Sequence, residues 1–134
     1  MKGVGFSFTA PVDWTVARTG TSASASLGAV DFVQVRLFRL EKPYRIAQFG
    51  AVSHELDTVA AGLAKQISGE VVSRSTMQVS GRKTRYYELA FDHGKTEEIA
   101  FVLAGQSEYQ VLCRRVASAP DATCAQLFSS FTLS

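Results

Sequence analysis

The spacing of apolar residues predicts strands in the first third of the chain. Apolar and polar positions alternate in "GFSFTAP" and "DWTVAR", which indicates two short strands. A stronger strand is predicted for "VDFVQVRLFRL" at 30–40, with Val33, Val35 and Leu37 on one face and Phe32 and Phe38 on the other. The small, polar stretch "TGTSASASLGA" before it favours a loop or a weak edge strand.

The spacing changes to three and four residues in the middle of the chain, which is typical of a helix with one core-facing stripe. The stripe consists of Phe49, Val52, Leu56, Val59, Leu63 and Ile67. It spans about five turns at ~3.6 residues per turn. Gly69 stands where a glycine commonly ends a helix.

Alternation returns after the helix in four segments joined by short polar links. The segments are "EVVSRSTMQV", "RKTRYYELAF", "EEIAFVLA" and "EYQVLCRRV". Their links are short enough for hairpins, and Pro120 then opens a short helix with Cys124 and Leu127 on its apolar side. We therefore expect one domain, 1–134, of the α/β (α+β) class. Its antiparallel central sheet would have about six strands, with helices on both faces.

Composition and charge exclude several classes of protein. Hydrophobic residues make up 46% of the 134 residues and charged residues 19%, and the net charge is +2, which is too weak to predict nucleic-acid binding. No apolar run approaches the ~20 residues of a membrane-spanning helix. The opening "MKGVGFSFTAP" has no hydrophobic leader region, so we expect a cytosolic protein or a mature domain without its leader.

Several segments resemble the Mog1/PsbP-like family of α/β/α sandwich proteins. "FSFTAPVDWTV" is similar to the family's opening, and "AVSHELDTVAAGLAKQI" and "MQVSGRKTRYYELAF" are similar to its central helix and following hairpin. "EYQVLCRRVASAPDATCAQLFSSFTL" resembles the end of bacterial members, where a strand cysteine, a helix cysteine and a terminal Ser-Phe-x-Leu recur. The chain is identified on these segments as a bacterial member.

The resemblance implies a binding or scaffold role. Eukaryotic relatives act by contacting proteins: one binds a small nuclear GTPase, and others attach to photosystem II. Bacterial members include lipoproteins and secreted domains. The family has no shared catalytic motif and no shared cofactor, so the resemblance implies neither for this chain, which also lacks a lipobox cysteine.

Motifs for catalysis and metal binding are incomplete. His54-Glu55 begins like the zinc motif His-Glu-x-x-His, but Thr58 replaces the second histidine. "Gly94-Lys95-Thr96" resembles the end of a phosphate-binding loop, but Leu89 stands where that loop needs a glycine. We therefore expect no enzyme, no cofactor and no metal.

The leading hypothesis is a non-enzymatic module that recognises a protein partner through one sheet edge or its loops. Arginine and tyrosine are favoured in protein interfaces. The candidate residues for partner binding are Arg82, Arg85, Tyr86 and Arg114. The alternative is a carrier of a small apolar ligand, or an unfamiliar enzyme, with a pocket beside the sheet. Phe32, Phe38 and Tyr86 would line that pocket under a flap formed by 20–29.

The only two cysteines, Cys113 and Cys124, are predicted to form a disulfide. A strand, turn and helix that fold back on themselves can bring two α-carbons within the ~4.4–6.8 Å that a disulfide requires. Such a bridge favours an extracytoplasmic location, secreted or in the cell envelope. The other interpretation is two reduced, buried thiols in a cytoplasmic protein.

Overall fold

The computed structural model describes all residues from Met1 to Ser134 and shows a mixed α+β fold with ten strands and two helices. In chain order the elements are β1 (Lys2–Gly3), β2 (Phe6–Ser7), β3 (Thr15–Thr19), β4 (Ser22–Leu27), β5 (Asp31–Arg39), α1 (Phe49–Gln66), β6 (Glu70–Val79), β7 (Arg82–Phe91), β8 (Lys95–Ala104), β9 (Ser107–Val116), α2 (Ala122–Ser130) and β10 (Thr132–Leu133). A single turn of 3₁₀ helix at Ile46–Gln48 leads into α1.

Seven strands form one antiparallel sheet in the order β3-β4-β5-β9-β8-β7-β6. Hairpins join β6, β7, β8 and β9 in sequence into a meander, as predicted, and β5 pairs with β9, so that β3–β5 extend the sheet beyond the last strand of the meander. The sheet has one strand more than the prediction of about six. The free edges are β3 and β6.

The additional strand is β4, in the stretch that was predicted to be a loop or a weak edge strand. β4 pairs with β3 on one side and β5 on the other, so it is an interior strand. Ala23 and Ala25 are fully buried and lie opposite Val35 and Val33 of β5. The prediction of a flap at 20–29 is therefore wrong, because backbone pairing holds most of it within the sheet.

A second, small sheet joins the two ends of the chain. β2 pairs antiparallel with both β1 and β10, so Phe6 lies opposite Leu133 of the last strand. The predicted first strand in "GFSFTAP" is shorter than expected, because only Phe6–Ser7 of it forms strand pairs. Phe6 and Phe8 are buried and reach the main core.

Two groups of buried side chains form the core. The larger group contains Cys124, Leu127 and Phe128 of α2, and the smaller one contains Leu56, Ala60 and Ala64 of α1. Strand β8 contributes to both: Ala100 and Val102 belong to the larger group, Ile99 and Phe101 to the smaller one. Neighbouring residues of a strand point to opposite faces, which explains this alternation.

The helix α1 begins and ends close to its predicted bounds, but its core-facing line differs from the predicted stripe. The fully buried residues are Leu56, Ala60 and Ala64, whereas Val59 is 43% exposed. Alanines allow the helix backbone to approach β6 and β7, which it contacts. The larger side chains at Val52 and Val59 therefore lie along the flank of the helix.

The predicted disulfide between Cys113 and Cys124 is confirmed, and no free cysteine is left. The two α-carbons lie 5.5 Å apart, across 11 positions of sequence. Both side chains are buried, so the bridge fastens the start of α2 to β9 within the core. Neither helix is long and apolar enough to cross a membrane.

Candidate functional site

The four predicted partner-binding residues do not lie on one surface. Arg85 and Tyr86 are neighbours on β7 and therefore point to opposite faces of the sheet. Arg85 is only 18% exposed and forms an ion pair with Asp57. Arg114 donates from Nε to Glu97 at 2.6 Å, while Arg82 is exposed at the start of β7. Their contact with a partner stays a prediction, but a single binding patch formed by all four is excluded by this geometry.

The predicted apolar pocket between Phe32, Phe38 and Tyr86 is also not formed. The Tyr86 ring packs edge-on against Phe128 of α2, with ring centroids 5.7 Å apart. Phe38 is 37% exposed, and the guanidinium of Arg36 lies over its ring. Val33 and Val35 of β5 belong to the core group against which Tyr86 packs, so Phe32 and Phe38, at alternate positions, lie on the opposite face of the sheet.

Arg115 is the centre of a partly buried polar cluster beside the disulfide. Its Nε donates to Glu98 at 3.2 Å and lies 3.5 Å from Asp121, and its guanidinium reaches Glu88 at 3.6 Å. It also donates to the backbone carbonyls of Ala117 and Ala119. The cluster therefore fixes the turn between β9 and α2 to the sheet.

Glu98 is the buried carboxyl of this cluster, with a side chain only 5% exposed. Burial and the neighbouring Asp121 raise its pKa, although the hydrogen bonds from Tyr86 and Arg115 oppose that rise. The Tyr86 hydroxyl donates to Glu98 at 2.6 Å, and its own pKa is raised by burial and by that carboxylate. A buried carboxyl with a raised pKa is a feature of many catalytic acids, but here both carboxylate oxygens already accept hydrogen bonds, one from Tyr86 and one from Arg115.

Glu98, Asp121 and Cys124 place one potential metal-binding atom each within 4.8 Å of one another. The Cys124 sulfur is bonded to Cys113 and offers no thiolate. The Arg115 guanidinium lies against both carboxylates and forms an ion pair with each of them. These residues therefore fit an internal ion-pair cluster and do not fit a zinc site.

A second polar cluster attaches α1 to the sheet. Asp57 of α1 accepts three hydrogen bonds from Arg85, at 3.1, 3.2 and 3.4 Å, and one from the hydroxyl of Tyr87. Arg74 lies 3.6 Å away. Burial alone would raise the pKa of Asp57, but the hydrogen bonds from Tyr87 and Arg85 outweigh it, so the pKa is lowered. This carboxylate holds the helix over β6 and β7.

An open groove runs along the other flank of α1 and is the site that these clusters leave unfilled. Its volume is about 560 Å³. One wall is formed by Gln48 and the flank of α1 as far as Val59. The opposite wall is the segment 40–44, and Leu103 and Glu108 lie at the base. We call this site the α1 groove.

The far wall of the α1 groove is held in place by backbone hydrogen bonds. Leu40 donates to the carbonyl of Gln106 and Tyr44 to that of Gly105, both at 2.7 Å. The wall is therefore fixed to the turn between β8 and β9, and the groove is preformed. The Tyr44 hydroxyl is buried there without a hydrogen-bond partner. Burial raises its pKa, and the charge of Arg82 opposes that effect.

Sequence patterns did not predict the α1 groove, because its parts come from three separate segments. The only signal was the helix stripe itself. The predicted core-facing stripe of the helix includes Val52, Leu56 and Val59, and the sheet covers only part of it. The excess apolar surface forms the helix side of the groove.

The chain was compared with known proteins. No family model and no curated protein sequence matches it significantly. Among solved structures it is similar to a protein of Bacteroides thetaiotaomicron VPI-5482, whose crystal structure was determined at 1.50 Å resolution. The TM-score is 0.64 and the identity 12%, and the match covers 100% of this chain and 47% of that one. The chain thus spans about half the length of this neighbour, and the likeness concerns the fold alone.

Proposed function

We propose that this protein is a non-enzymatic binding module that holds a segment of a protein partner in the α1 groove. The observation that carries the proposal is the groove itself: a preformed, largely apolar cleft between α1 and the segment 40–44. Apolar surface that stays exposed along a fixed groove is characteristic of interaction sites in soluble proteins.

The titratable residues support a binding role over a catalytic one. The two clusters with perturbed pKa values, around Glu98 and around Asp57, use their charges to attach α2 and α1 to the sheet. Neither cluster lines the α1 groove. The residues around the groove thus offer contact surface and charge, which are the components of a recognition site.

The proposal includes the architecture and the compartment. We assign the fold to the Mog1/PsbP-like α/β/α sandwiches, with α2 over one face of the sheet and α1 over part of the other. The division of the core between the two helices supports this assignment. We also propose an extracytoplasmic location, secreted or in the cell envelope. The disulfide supports it, since such bridges persist in oxidising compartments.

Display of random peptides on phage tests the proposed function. The purified protein should enrich peptides that no longer bind when Ala51, an exposed residue of the groove wall, is changed to Trp. The matched control is Ala61→Trp, an exposed position on the opposite flank of the same helix. No enrichment, or equal loss of binding in both variants, would contradict the proposal.

The volume of the groove also favours a second candidate, a carrier of a small apolar ligand. About 560 Å³ lies within the ~300–1,000 Å³ of small-molecule sites. Native mass spectrometry of the purified protein distinguishes the two. A carrier should retain a small molecule that Ala51→Trp excludes and Ala61→Trp does not.

A further inference from the structure

We infer that the segment recognised by the α1 groove is a basic amphipathic helix. The inference rests on the proposed function and adds the chemical class of the partner. Three features of the groove lead to it: its net negative charge, its apolar interior, and its position over interior strands.

The charge of the α1 groove is opposite to that of the protein as a whole. The chain carries a net charge of +2, yet Glu41, Glu55 and Glu108 all line the groove. Six of the 12 acidic side chains take part in ion pairs, and these three are half of the remaining six. Glu108 accepts a hydrogen bond from Gln110, and Lys42 is the one basic residue in the lining.

The interior of the groove is apolar between these carboxylates. Val52, Leu56 and Val59 line it from α1, and Leu103 lies at its base. A ligand that fits this pattern presents an apolar stripe to the groove and cationic side chains to its rim. Lysine and arginine provide such charges while their aliphatic stems cover the apolar surface beside it.

The position of the groove in the sheet favours a helix over an extended segment. Its base residues belong to β8 and β9, which have strand partners on both sides. The only free edges are β3 and β6, at the two ends of the sheet. A segment in the groove therefore cannot add a strand there, which favours a helix, whose backbone hydrogen bonds are satisfied within the segment itself.

The length of the wall sets the length of the occupant. From Gln48 to Val59, α1 rises by about 16 Å. A helix of about three turns covers that distance.

Fluorescence anisotropy with designed peptides tests the inference. The probe is a labelled helical peptide of about 14 residues with leucines on one face and lysines on the other. One comparison peptide has glutamines in place of the lysines, and a second has glutamates. We expect binding in the order lysine, glutamine, glutamate, and weaker lysine-peptide binding at higher ionic strength.

Protein variants assign the charge effect to the groove. Glu41→Gln with Glu55→Gln should weaken binding of the lysine peptide by about 2- to 30-fold, at ~1.4- to 5-fold for each exposed carboxylate. The matched control is Glu70→Gln, which removes an unpaired carboxylate outside the groove and should leave binding unchanged.

Two results would overturn the inference while leaving the proposed function intact. The first is equal binding of the lysine and glutamine peptides, both lost in Ala51→Trp. The second is tighter binding of the glutamate peptide at the same site. Binding of a long-chain alkylamine, but of none of the peptides, would assign the groove to a small amphiphile. That result would overturn both the inference and the proposed function.

Discussion

Reduction of the Cys113–Cys124 disulfide should lower the free energy of unfolding by about 3 kcal/mol. The bridge spans 11 positions of sequence. The chain-entropy relation gives about 2.8 kcal/mol at 25 °C for a loop of that length. Reduction breaks the S–S bond and adds one hydrogen to each sulfur, so two buried thiols replace the bridge and the core loses no heavy atom. Arg115 still fastens the same turn, so the reduced protein should stay folded.

Urea unfolding of the same protein, with and without a phosphine reductant, measures this difference directly. Alkylation of each denatured sample, with no further reductant added, counts its free thiols. We expect none in the oxidised sample, two in the reduced sample, and a lower urea midpoint for the latter. A difference below about 0.5 kcal/mol would show that the bridge does not constrain the unfolded chain as the entropy relation requires.

Two further predictions concern the polar clusters. Asp57→Asn should destabilise the protein at pH 7, because Arg85 loses its charged partner. Because folding lowers the pKa of Asp57, the ionised carboxylate stabilises the folded protein above pH ~4, and this stabilisation is lost as the pH falls through the folded-state pKa. The difference in free energy of unfolding between wild type and variant should therefore be smaller at pH 3 than at pH 7. An equal gap at both pH values would contradict this. Tyr86→Phe should cost about 1.5–3 kcal/mol, because it removes a hydrogen bond to Glu98. The matched control is Tyr44→Phe, which removes a hydroxyl without a hydrogen-bond partner and should leave the free energy of unfolding in urea unchanged. Equal destabilisation by Tyr86→Phe and Tyr44→Phe would contradict a stabilising role for the Tyr86–Glu98 hydrogen bond.

The strands of the meander were predictable because each has a strong alternating pattern. β6 and β7 have the predicted bounds, and β8 and β9 begin within two residues of them. β4 was missed because Ala23 and Ala25 are its only buried apolar residues. Alternating serine and alanine have little contrast in hydrophobicity, so only the pairing with β3 and β5 identifies this segment as a strand.

The candidate site was less predictable than the fold. The disulfide was found from local sequence, because a strand, a turn and a helix next to each other leave few arrangements for two cysteines. The α1 groove depends on where α1 lies across the sheet. Ala60 and Ala64 let the helix lie close over β6 and β7, and Asp57 fixes it there through Arg85. No local pattern contains that information.

The central claim, recognition of a helical segment in the α1 groove, is tested most directly by an NMR titration. Protein labelled with ¹⁵N is titrated with the lysine peptide, and the amide shifts are mapped onto the structure. We predict the largest changes along the groove, at Ala51, Glu55 and Val59 of α1 and at Leu103 and Glu108 of the sheet. Changes concentrated on the free edges β3 or β6 would contradict the account, since they would indicate strand addition at a sheet edge.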